Sequence, residues 1–256
     1  MAVIGSSFFI PWDIVRAWLA PTPETIQVQV NDALKYKLDG IIVYVDKKGE
    51  PPSFYAAGWK DKQNKIPADP HALFKIASIS RLYIAAATAK LVYSHRLSLD
   101  DTLEDLLPEL AGRIQYSKKI TLRMLLQHRC GIPDWIKSSK FPWGDPPRNV
   151  DRVLDLVLDK PADFKPGSRY EYSNANYLLI GKILDKTLGY SYKQNIKEVI
   201  LTPLGLTHTF GSMSEVNPNE IVSGYDSHIG NMDMKNLDFV APGGPWSPPQ
   251  RMLENS

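Results

Sequence analysis

The first strong apolar pattern lies at residues 40–60, where GIIVYVDKK and SFYAAGWKD are rich in β-branched and aromatic residues and flank the turn-forming KKGEPP. This pattern predicts a β-hairpin. The polar loop KQNKIPADPHA then leads into FKIASISRLYIAAATAKL, residues 74–91. Its alanines and leucines lie nearly all round a helical wheel, which predicts a central helix packed on every side. Further helices are expected in SLDDTLEDLLPEL, in TLRMLLQHRCG, in NVDRVLDLVLDK and in NANYLLIGKILDKTLG. In the second of these, Thr121 suits the N-cap and Gly131 the left-handed position past the C-terminus. The middle of the chain therefore reads as mostly helical. After LTPLGLTHTFG, from about Ser212, the pattern dissolves into a polar tail bearing Gly and Pro, without repeats or low-complexity runs.

Composition narrows the class. A chain of 256 residues, 43% hydrophobic and 23% charged, is long enough for a sizeable core in one domain or two closely merged lobes. A net charge of +2 with both signs interspersed offers no basic stripe, so no nucleic-acid partner is expected. The opening MAVIGSSFFIPWDIVRAWLA lacks a basic start and is interrupted by Pro11, Asp13 and Arg16, so it fits neither a signal peptide nor a membrane span. The expectation is a soluble chain, cytoplasmic as written, with no transmembrane segment. The single cysteine, Cys130, excludes an internal disulfide.

Candidate chemistry begins at Ser78 and Arg81, three positions apart and so on one helical face. A cation in a first turn is disfavoured by the helix dipole, and contact with a nucleophile or an anionic substrate would account for it. The alternative is an arginine that points to solvent beside a serine that caps the helix. Downstream, PGSRYEYSNANYLLIGKIL presents Tyr172, Ser173 and Asn174 in a short loop ahead of an apolar helix. A tyrosine beside a cation can accept a proton from a serine hydroxyl, and an asparagine amide can orient a substrate carbonyl and amide. The alternative here is that Tyr172 packs in the core and Asn174 caps the helix. Cys130 reads as a buried small residue, because no nearby motif activates it. His71, His95, His128, His208 and His228 show no metal-ligand spacing, so neither metal nor cofactor is expected. G-x-S-x-G and G-x-G-x-x-G are absent, which argues against an α/β-hydrolase elbow and a dinucleotide fold. The tryptophans, Trp135 and Trp143 among them, either line an apolar groove or fill the core.

Four phrases stand in order: FKIASISR, LLQHRCGIPDW, YEYSNANYLLIGKIL and LTPLGLTHTFG. Together they resemble the serine β-lactamase and penicillin-binding-protein superfamily, in particular its class C β-lactamase, DD-peptidase and esterase branch. The resemblance runs from about Asp39 to Gly244. It implies an α/β (α+β) fold of the β-lactamase/transpeptidase-like kind, an antiparallel sheet flanked by helices with a helical lobe and an active site in the groove between them. Residues 1–256 would form a single β-lactamase-related domain, with 1–24 an N-terminal extension, 25–244 the family-like region and 245–256 an atypical tail. By the same resemblance Ser78 is the nucleophile that forms an acyl-enzyme and Tyr172 is its proton partner. The Ser78 N–H supplies half of an oxyanion hole, and Asn174 holds the amide side chain of a small-molecule or peptide substrate.

Two departures from the family pattern change the functional expectation. Arg81 stands at the catalytic lysine position, and a guanidinium stays charged and presents a wide planar fork where an amine could exchange protons. The third motif, a Lys/His-Thr/Ser-Gly strand expected after the Gly-Gly region, does not follow. The HIG at 228–230 precedes APGG and falls in the wrong order. The C-terminal strands of the sheet are therefore expected to be missing, with unpaired edges and exposed apolar surface. The ending GGPWSPPQRMLENS is compatible, through codon degeneracy, with a family-like LVSTPxDxxKF in another frame. This predicts out-of-frame sequence after about Gly244 followed by a premature stop, the alternative being an ordinary Pro-rich tail. Two functions follow. One is a serine hydrolase acting on an amide, β-lactam, D-amino-acid peptide or ester, impaired in this chain. The other is a non-catalytic relative, either ligand-binding or truncated and inactive.

Overall fold

The β-rich stretches pair as expected. In the computed structural model, β1 (Gly40–Val45) runs antiparallel to β2 (Ser53–Asp61), from Gly40 opposite Gly58 to Val45 opposite Ser53. The cross-strand pair Tyr44 and Phe54 brings its rings to 5.1 Å, the kind of contact that fixes register. Ile66–Pro67, within what reads as a polar loop, adds a short β3 on the other side of β2. Helix α1 (Trp12–Leu19) precedes α2 (Ile26–Ala33). Thr25 caps α2 by accepting from the Val28 N–H, and Gln27 ties the helix to β2 through the Ala56 carbonyl. The structure describes residues 11–21, 23–142, 147, 149–226, 232–233 and 249–250. These elements belong to one of two compact units, residues 1–70, and the second unit is residues 71–256.

The second unit opens with β4 (Phe74–Lys75), which pairs with Pro249 and Gln250, while Leu73 bridges to Ile221. Then follow α3 (Ser80–Tyr93), the short α4 (Leu103–Leu106), α5 (Leu122–Leu126), α6 (Val150–Leu154), α7 (Asn174–Leu188) and α8 (Tyr192–Ile196). The Thr121 hydroxyl caps α5 by accepting from the Met124 N–H, as the sequence predicts. The helix α3, expected to be packed on every side, is buried on one face only. Its buried face is Ser80, Arg81, Ile84, Ala87, Thr88 and Leu91, whereas Leu82 is 70% and Tyr93 88% exposed. The helix enclosed nearly all round is α7, where Asn174 to Gly181 are buried without a break. Alanine-rich sequence misleads because alanine suits either environment. Trp135 is fully buried and packs on Phe141, so it fills the core.

The end of α5 also departs from expectation. The left-handed residue that terminates it is His128, with φ +54°, not Gly131. The His128 N–H donates to Leu125 O and the Arg129 N–H to Met124 O, the paired bonds of a Schellman closure. Gly131 serves the loop beyond. At φ +83° it passes so close to Phe164 that a Cβ would lie 2.1 Å from the Phe164 carbonyl oxygen. Trp143, the 228–230 stretch and residues 241–248 lie outside the described residues.

Candidate active site

Ser78 sits not inside α3 but in the single 3-10 turn Ala77–Ile79 that connects β4 to it. Ala77 adopts φ +44°, a conformation disfavoured for a residue with a Cβ and often found where a fold holds a reactive side chain in place. Ser78 is exposed, and the N-cap of α3 is Ile79 without a side-chain cap bond, so the serine does not cap the helix.

Tyr172 reaches this serine from 94 positions away, its hydroxyl donating to Ser78 Oγ at 2.9 Å. The segment carrying Tyr172 is held by the loop that follows α5. Glu171 N–H donates to His128 O, Ser173 N–H to His128 Nδ1 and Ser173 Oγ to Pro133 O. The phrases HRCGIPD and EYSN thus form one hydrogen-bonded unit, each satisfying backbone groups of the other.

Arg81 does not point to solvent. It is 6% exposed, its Cζ lies 4.3 Å from the Tyr172 ring centroid and 5.0 Å from that of Tyr177, and Nη2 donates to Asn174 Oδ1 at 2.6 Å. Burial pulls its pKa below the ordinary arginine value, while Tyr172, Tyr177 and Asp134 oppose that shift. Asn174 is the first residue of α7 rather than its cap. Its side-chain Nδ2 donates to both carboxylate oxygens of Asp134, at 3.1 and 2.9 Å, and its backbone N–H donates to Asp134 Oδ1. A carboxylate from a neighbouring loop thereby caps the start of α7, where negative charge is favoured. The result is a relay, Asp134 to Asn174 to Arg81, that ends on the face of Tyr172. Both ends of the Asn174 amide are engaged within the protein, so a substrate amide would have to exchange with one of these bonds.

Sequence reasoning singled out Ser78, Arg81, Tyr172 and Asn174, and the structure brings all four together. It missed His128 and Asp134. The available signal is the phrase LLQHRCGIPDW, in which His128 is read only for metal-ligand spacing, Cys130 only as a nucleophile, and Asp134 not at all. Cys130 is buried beneath the site, donating to Asn176 Oδ1 at 2.9 Å, and burial pushes its thiol up to about 11. It acts as a small protonated donor. Among the described residues no group of His, Cys, Asp and Glu could hold a metal ion.

The Beta-lactamase family model matches residues 15–248. The chain belongs to the beta-lactamase family. Among relatives of this beta-lactamase family member is Protein flp of Staphylococcus aureus, 29% identical over 199 residues, which are 77% of this chain and 39% of the relative. Another is Penicillin-binding protein 4* of Bacillus subtilis, 25% identical, with 73% of this chain and 41% of the relative covered. The chain therefore spans about two fifths of the length of these relatives. The solved structure of D-amino acid amidase from Ochrobactrum anthropi SV3 superposes with a TM-score of 0.76 at 25% identity, over 88% of this chain and 65% of the amidase. The class C beta lactamase from Rhodobacter sphaeroides gives 0.67 at 25% identity, over 88% of this chain and 61% of that enzyme. The mixed fold of helices and antiparallel sheet is thus the β-lactamase/transpeptidase-like one, and the family is one of hydrolases. No helix among the described residues is long and apolar enough to cross a membrane.

Proposed function

We propose that this chain is a slow serine hydrolase that forms an acyl-enzyme on Ser78 from an amide, β-lactam, D-amino-acid peptide or ester. The observation that carries the proposal is the 2.9 Å contact between the Tyr172 hydroxyl and Ser78 Oγ, beside a cation seated on the tyrosine ring. In the reactive state Tyr172 is the phenolate, stabilised by Arg81, and the hydrogen bond runs from Ser78 to Tyr172. As Ser78 Oγ bonds to the substrate carbonyl carbon, its proton passes to Tyr172 and the carbonyl oxygen takes the electron pair. Collapse of that intermediate breaks the bond to the leaving group, which takes the proton from Tyr172. Water then repeats the sequence on the ester and releases the acid. The amidase and the class C enzyme among the structural neighbours motivate amide and lactam probes. Arg81 explains the slowness: a guanidinium stabilises charge and cannot relay the proton as an amine would.

A second reading, a non-catalytic relative that binds ligands, draws on the engagement of Asn174 on both sides and of Arg81 in the same relay. Incubation with a fluorescent penicillin and a p-nitrophenyl ester, followed by intact-mass measurement, separates the two. The hydrolase reading expects one acyl group per chain, absent in Ser78→Ala. Saturable binding without any mass increase selects the binding protein.

A further inference from the structure

His128 occupies a position where glycine would fit with least strain. It is the left-handed residue that closes α5, and a side chain kept in that conformation calls for a use. The imidazole is buried and packs against two tyrosine rings, 4.5 Å from Tyr172 at 31° and 5.4 Å from Tyr177 at 33°, with Tyr170 edge-on at 6.1 Å. Its Nδ1 accepts the Ser173 N–H at 3.2 Å. The same nitrogen lies 3.2 Å from Nδ2 of Asn176. The Cys130 thiol donates to Oδ1 of that asparagine, which turns the NH2 end of the amide toward the histidine. Two donors therefore converge on Nδ1. That nitrogen must carry a lone pair, and the ring proton belongs on Nε2. Burial, with Arg81 adding to it, lowers the His128 pKa to about 4, so the ring is uncharged at neutral pH. The titratable groups that surround it are Arg81, Tyr170, Tyr172, Tyr177 and, through Asn176, the thiol of Cys130.

We propose that His128 is the positioning residue for Tyr172: its neutral imidazole, as the Nε2–H tautomer, holds the phenol against Ser78 by stacking on the ring and by fixing the next backbone amide. The inference rests on the reading of Tyr172 as the proton partner of Ser78, and it adds the element that aims that partner. The two contributions are separable. His128→Asn places an oxygen where Nδ1 stood and keeps the acceptor while removing the ring. His128→Phe keeps a ring and removes the acceptor.

The test uses the chain labelled with 13Cζ-tyrosine and 15N-histidine. Ser78→Ala deletes the partner of the Tyr172 hydroxyl and should shift the Tyr172 13Cζ resonance, assigned by its loss in Tyr172→Phe. Introduced together with His128→Asn or His128→Phe, the same Ser78→Ala change should move that resonance by less than half as much, with the exposed Tyr190 as internal control. An undiminished shift in both folded variants overturns the proposal. Should neither variant fold, the 15N spectrum of the unsubstituted chain decides: Nε2–H with unprotonated Nδ1 from pH 5.5 to 8 supports it, and an Nδ1–H tautomer or imidazolium there overturns it. In an acylating chain, His128→Asn should reduce the acylation rate constant at least tenfold with probe affinity changed less than threefold, and an unchanged rate constant counts against the proposal. A parental chain that never acylates removes the hydrolase reading, while the tyrosine shifts still decide whether His128 aims the phenol.

Discussion

Arg81 is a buried cation in the first turn of α3, where the helix dipole opposes it. The structure answers this cost with the Asp134 carboxylate, relayed through Asn174, and with two tyrosine ring faces. Removing the cation while keeping the carboxylate leaves the buried Asp134 with less opposing charge. Arg81→Met should therefore destabilise the fold by about 3 kcal/mol in urea unfolding, although methionine fills much of the same volume. Tyr172 behaves differently because it is 38% exposed and its hydroxyl, beside Arg81, donates to Ser78 Oγ. Tyr172→Phe should change stability by less than about 1 kcal/mol and reduce Ser78 acylation by at least ~10²-fold. A variant that acylates at the parental rate would remove tyrosine from the mechanism. The pairing of Ser78 with Tyr172 was legible because both stand in short phrases that resemble those of the family. The roles of His128 and Asp134 were not, since neither residue has a sequence spacing that announces stacking or a contact with another loop.

Among the elements, α7 takes the enclosed place expected for α3. The pattern of FKIASISRLYIAAATAKL, rich in alanine, carries little directional information, whereas the buried run from Asn174 to Gly181 contains polar residues whose burial makes sense only once their partners are known. The exposed face of α3 has a measurable consequence. Ile84 is fully buried and Leu82 is 70% exposed, so Ile84→Ala should cost about 3 kcal/mol and Leu82→Ala less than about 1 kcal/mol. Equal costs in urea unfolding would show that α3 is covered on both faces in solution. The hairpin at 40–60 was readable to within a residue or two because β-branched runs bracket an unmistakable turn. The C-terminal end of α5 was not, because its left-handed residue is a histidine where glycine is the usual choice. Gly131 keeps a role of its own. Gly131→Ala would set a methyl group against the Phe164 carbonyl at a positive φ, and should destabilise by more than about 2 kcal/mol.

At the scale of the whole molecule, site and stability share the same network. The His128 pKa of about 4 lies below its ordinary 6.5, so between those values the unfolded chain binds more protons than the folded one. Its contribution to stability is complete above about pH 6.5 and is lost as the pH falls toward 4, by at most about 3 kcal/mol. Urea unfolding at pH 7 and pH 4.5 should show a smaller difference for His128→Asn than for the parental chain. An equal difference would assign the acid sensitivity elsewhere. Ser78, Arg81, Tyr172 and Asn174 all lie within residues 71–256. The most direct test of the proposed chemistry is intact-mass measurement of the chain after prolonged exposure to an excess of fluorescent penicillin or p-nitrophenyl ester, with peptide mapping of the product. A single acyl group on Ser78 is expected, absent in Ser78→Ala and at least ~10²-fold slower to form in Tyr172→Phe. A folded chain whose Ser78 stays unmodified, or one that gains the same mass in Ser78→Ala, would contradict it.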